Sequence, residues 1–181
     1  MGQTPSTSDG DESLNSPLTS HVVRDHVLIG AVPAFVVAAF TDPVWSFIFW
    51  LSNVLVDLDH YLNFLILTRF RVVGVRAMFQ FHEAVFQRRS HPDLYPLEIF
   101  HTVEVVGLLG MAAFWFRGFL VPIFWGIVFH LLVDVVHLAR YQILTKRPHS
   151  LLEYFWRIRR MQAYGRNPDR VIQEALAASG I

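Results

Sequence analysis

The sequence predicts an all-α, polytopic membrane protein of about four transmembrane helices, followed by amphipathic and soluble C-terminal helices. Three observations carry this expectation. Apolar runs at 27–40, 44–67, 99–116 and 119–139 are separated by short turns or by one basic loop. The composition is 53% hydrophobic and only 17% charged, against about 25% charged in soluble domains. Finally, imidazoles and carboxylates lie inside the apolar runs, where they are costly and mark functional positions.

Composition also narrows the chemistry. The net charge is zero, so nothing indicates nucleic acid as a partner. With no Cys, there is no disulfide framework and no thiolate metal site. Any metal must use His, Asp or Glu, which suits zinc, with manganese or iron as alternatives.

Residues 1–20 are rich in Ser, Thr, Pro, Asp and Gly and read as a disordered tail. The membrane domain is expected over 21–141. Its first run is preceded by His21, Arg24, Asp25 and His26 and carries Pro33, a kink position. Thr41-Asp42-Pro43 is a turn. The second run carries Trp45 and Trp50 near its start, as an interfacial aromatic belt would, and Asn53, Asp57, Asp59 and His60 near its end.

Residues 68–98 form a basic connection with an amphipathic piece over 72–86 that contains His82 and Glu83. A solvated helix face suits that pair better than a metal site, because the second His of the zincin pattern is missing. His21, His91 and His149 read as surface residues. The third run opens with His101 and Glu104, and Arg117-Gly118 is a turn into the fourth. Residues 142–181 form a basic cytoplasmic region. Its 150–164 segment mixes Leu152, Phe155 and Trp156 with Arg157, Arg159 and Arg160, which suits an anionic leaflet, and Asn167-Pro168 opens a last helix.

The positive-inside rule fixes orientation. The 68–98 loop carries Arg69, Arg71, Arg76, Arg88 and Arg89, and the chain from Arg140 onward carries eight Lys and Arg. Those parts, with both termini, are expected on the cytoplasmic side of a cell inner or plasma membrane. His26, Asp57/Asp59/His60, His101/Glu104 and His130/Asp134/His137 then all fall in the cytoplasmic half. On a helix, His130, Asp134 and His137 share a face within roughly 60°. Asp59 lies about 200° from Asp57 on a regular helix. One ion shared by both therefore requires a distorted helix, a second ion, or an Asp acting through another ligand. Four carboxylates with no Lys or Arg inside the runs make a divalent cation the simplest partner.

These residues resemble the YdjM-like inner-membrane metal-dependent hydrolase family. His26-Val27-Leu28-Ile29-Gly30 is similar to its opening His element. Val56-Asp57-Leu58-Asp59-His60 is similar to its Asp-x-Asp-His element, and His130-Leu131-Leu132-Val133-Asp134 to its closing His-x-x-x-Asp. His101-Thr102 stands where the family has His-Ser. The His-Arg-Gly preceding that pair is absent, and Glu104 and His137 are additional. The resemblance covers 21–139 and implies a metal site, with the substrate left open.

The expected metal ligands are His26, Asp57, His60, His101, His130, Asp134 and His137, with Glu104 or Asp59 as general base. The expected function is hydrolysis of an ester or phosphoester at the cytoplasmic leaflet by metal-activated water, with membrane lipids as partners. Two alternatives stand beside it: a divalent-cation or proton transporter or channel, and a non-catalytic adaptor with a structural metal.

Overall fold

The structure, a computed structural model, describes residues 18–181, with side chains from residue 26 onward. The tail expected over 1–20 lies outside the described residues up to 17, and Leu18–Ser20 form the first turn of a helix. Among the described residues, eight α-helices follow one another: α1 Leu18–Phe40, α2 Pro43–Leu55, α3 Leu58–Leu67, α4 Val75–Gln87, α5 Val103–Phe116, α6 Leu120–Arg140, α7 Leu151–Ala163 and α8 Pro168–Ala178. Among the described residues there is no strand.

Local chemistry sets most boundaries. Asp42 caps α2 by accepting from the Val44 amide at 2.7 Å, and Pro43 takes the first turn, where its missing N–H costs nothing. Arg117 and Gly118 both adopt positive φ and turn the chain from α5 into α6. Ser150 caps α7 and Asn167 caps α8.

α2 packs against α1 on one side and α6 on the other, and α5 covers the far side of α6. Two glycines permit this closeness. A Cβ on Gly126 of α6 would meet the Phe49 carbonyl of α2, and one on Gly30 of α1 would meet the Asn53 amide. The bundle is clad in apolar side chains. Phe35, Phe40, Phe114, Trp115 and Phe116 are all more than two-thirds exposed. Beneath it, α3, α4 and α8 enclose a separate apolar core of Phe64, Phe81, Ala84 and Ala175.

Among the described residues, one helix, α6, is long and apolar enough to cross a membrane, and shorter apolar helical segments cover His26–Phe40 and Val103–Phe116. The spans differ from the sequence expectation for two reasons. The second run breaks at Val56-Asp57 into α2 and α3. The third starts its α-helix only at Val103, because Ile99–His101 is a 3₁₀ turn. At about 1.5 Å per residue, α5 reaches roughly 21 Å, short of a hydrocarbon core of about 30 Å.

Candidate metal centre

The break between α2 and α3 builds the site. Around it, Asp59 bonds back to Val56 and His60 back to Asp57, both three residues apart. This tightening from α to 3₁₀ spacing re-aims the side chains. Asp57 turns inward beneath α1 and α6, while Asp59 points toward the 3₁₀ turn before α5. There its Oδ2 accepts from the Phe100 amide at 3.1 Å and from His101 Nδ1 at 3.0 Å. Of the three ways Asp57 and Asp59 could share a site, the structure shows a distorted helix, with Asp59 acting behind His101.

Five donor atoms converge from four segments. Asp57 Oδ1 lies 3.4 Å from His60 Nε2, 3.7 Å from His101 Nε2 and 3.3 Å from His130 Nε2. Asp134 Oδ2 lies 3.4 Å from His101 Nε2 and 3.6 Å from His130 Nε2. The His101 and His130 Nε2 atoms are 3.2 Å apart. Ligands held about 2.0–2.1 Å from a tetrahedral zinc are separated by roughly 3.3–3.4 Å. The observed separations lie at that edge length or a few tenths of an ångström beyond it, so overlapping groups of three of these atoms can each hold a divalent ion. His101, His130 and Asp134 are all buried and form one group able to hold an ion, as do Asp57, His60 and His101.

Each imidazole is held from behind, which leaves its Nε2 lone pair facing the centre. His101 Nδ1 donates to Asp59. His130 Nδ1 donates to the Asn53 carbonyl at 2.7 Å. His60 Nδ1 faces Glu98 Oε1 at 3.4 Å. His26 is different. Its Nδ1 meets His130 Nδ1 at 2.8 Å, and its Nε2 meets the other Asp134 oxygen at 3.3 Å. The one His130 Nδ1–H is taken by the Asn53 carbonyl, and His26 Nε2 is buried without a hydrogen-bond partner. His26 lies close enough to join Asp57 and His130 around an ion.

The remaining expected site residues fall elsewhere. Glu104 accepts from Ser150 Oγ and from the Leu151 amide at 3.0 Å, tying α5 to the start of α7. The His137 ring lies one turn past Asp134, with its centroid 5.8 Å from that of His26, and it belongs to none of the ion-competent groups.

One site residue, Arg147, carries no sequence signal, and another, His82, expected on a solvated helix face, is instead buried behind His60. Arg147, in the loop after α6, donates to Asp134 Oδ2 at 2.7 Å and pairs with Glu98. Burial opposes its charge, but Glu98 and Asp134 raise its pKa above the ordinary range. The cation that the apolar runs lack therefore enters from outside them. His82 of α4 lies behind His60, its Nε2 3.3 Å from the His60 carbonyl. Burial, then the neighbouring His60, push its pKa down to about 3, so it is neutral.

The arrangement defines an all-helical protein with a buried His/Asp centre able to hold a metal ion. No protein-family model, curated protein or solved structure matches the chain.

Proposed function

We propose that this chain is a membrane-embedded, metal-dependent hydrolase acting on an ester or phosphoester at the cytoplasmic leaflet. The observation that carries the reading is the pair of overlapping groups Asp57/His60/His101 and His101/His130/Asp134, each able to hold an ion, with these imidazoles oriented from behind. Zinc is the favoured ion, with manganese or iron as alternatives for a nitrogen and oxygen donor set. The likeness of Asp57-Leu58-Asp59-His60 and His130…Asp134 to the YdjM-like elements belongs to the same proposal.

Membrane embedding rests on α6 and on the apolar cladding of α1, α5 and α6. α1, α2–α3, α5 and α6 would then form four passes, the shorter ones accommodated by local thinning of the bilayer. The basic loops would face the cytoplasm. Asp57, His60, His101, His130 and Asp134 would hold the ion, which would supply hydroxide near neutral pH by lowering the pKa of a bound water. The protein's own groups do the rest. Asp59 fixes the His101 tautomer, Glu98 stands behind His60 Nδ1, and His26 packs beside His130 and Asp134. Arg147 sets a positive charge beside the donors, which suits an anionic ester. Asp59 thus works through His101, and Glu104 stays with α7.

The test is hydrolysis by full-length protein in lipid nanodiscs, with aryl carboxylate esters, phosphomonoesters and phosphodiesters as substrates. Chelator-sensitive turnover that falls about a hundredfold or more in Asp134→Ala is expected. No turnover on any ester class, or equal turnover in the variant, would overturn the reading.

A further inference from the structure

Away from the metal centre, a cavity of about 560 Å³ opens between α7 and the loops around Leu94 and Thr145. It shares no residue with the donor set. Four cations line it: Lys146, Arg157, Arg160 and Arg166. Two of them are already engaged. Arg166 pairs with Asp93, and Arg157 bonds Glu153 at 2.8 Å and the Thr145 carbonyl at 3.0 Å. Among the described residues, Lys146 and Arg160 have no acid within ion-pair distance.

Arg160 is held in a particular way. Its guanidinium lies over the Trp156 ring, 5.3 Å from the centroid, and 6.0 Å from that of Tyr164. Stacking restrains the plane of the group but leaves its N–H edge free, the edge that grips a phosphate with two parallel bonds. Arg157 is restrained alike over Tyr95 at 5.2 Å. The pocket thus combines two unmatched positive charges, a pre-oriented fork and aromatic walls. Its helix, α7, also exposes Leu152, Phe155 and Trp156 on one face. That apolar stripe would set the cavity mouth at headgroup depth in a bilayer.

We infer that this cavity binds an anionic phosphate ester, with Arg160 and Lys146 as its principal contacts. A phospholipid headgroup and a free phosphate ester offer the same chemistry, and the experiment separates them. Native mass spectrometry of the full-length protein in detergent would measure retention of phosphatidylglycerol against zwitterionic phosphatidylcholine. Calorimetry with glycerol 3-phosphate would test the soluble ligand.

Binding of either anion that weakens about tenfold or more in Lys146→Gln/Arg160→Gln supports the site, provided the thermal melt is unchanged. Preference for phosphatidylglycerol alone assigns the site to a lipid headgroup, whereas binding of glycerol 3-phosphate assigns it to phosphate esters in general. Binding of neither, or binding that the double variant leaves intact, would overturn it. Metal content read on the same samples keeps the two readings apart. A protein without metal whose anion binding is lost in the double variant would sink the hydrolase and leave this pocket standing.

Discussion

Around His130, the helices α1, α2 and α6 bury polar side chains and turn apolar ones outward. His26, Asn53, His130 and Asp134 are buried there, while Val32, Phe35, Trp125 and Leu132 are exposed. Around Phe64, the helices α3, α4 and α8 follow the opposite rule, burying Phe64, Phe81, Ala84 and Ala175. In water the first arrangement would lack a driving force, because apolar burial is what offsets chain entropy. The difference teaches that the two halves are stabilised by different means. The lower layer has an apolar core. The upper bundle relies on helix contact at Gly30 and Gly126, on its polar network and, in our reading, on lipid and an ion.

Substitutions separate these halves. The largest effect is expected from Asp57→Ala or His130→Ala, each of which removes a donor and leaves buried groups unpaired. Bound metal should vanish, and the detergent-solubilised bundle should lose its cooperative thermal transition. Phe64→Ala comes next. It should destabilise the lower layer by about 3–5 kcal/mol, seen as a lower chemical-denaturation midpoint, while metal per folded chain stays the same. If Phe64→Ala empties the centre without unfolding, the halves are not independent.

Asp59→Asn should sharpen the contrast. It retains the shape but weakens the hold on His101, and a loss of about 10–100-fold in metal affinity is expected from competition with a chelating dye. An unchanged affinity would show that Asp59 only pins the Phe100 turn. The smallest effect is expected for Phe114→Ala on the clad face, within about 0.5–1 kcal/mol. A loss of several kcal/mol would mean that Phe114 packs against protein instead of lipid.

Much of the site could be read from the sequence, and its misses have physical causes. Depth agreement across the apolar runs anticipated that His26, Asp57, His60, His101, His130 and Asp134 meet, and the structure brings them together. Helical spacing works there because α1 and α6 are regular. It misled for His137 and Glu104. His137 shares the face of His130 but sits a turn too far along α6, and Glu104 follows a 3₁₀ turn that rotates it toward α7. The division of labour between Asp57 and Asp59 depends on a backbone break that periodicity does not encode. Arg147 and Glu98 lie outside any periodic segment. Their one trace was the charge deficit of the apolar runs, which calls for a cation without saying where it comes from.

The proposed role of this centre stands on the ion. Elemental analysis of the detergent-purified full-length protein, with Asp57→Ala and Asp134→Ala beside it, tests it most directly. It predicts a stoichiometric transition metal, with zinc foremost, in the wild type and close to none in either variant. A wild type that folds yet carries no stoichiometric metal, or variants that keep it, would contradict it.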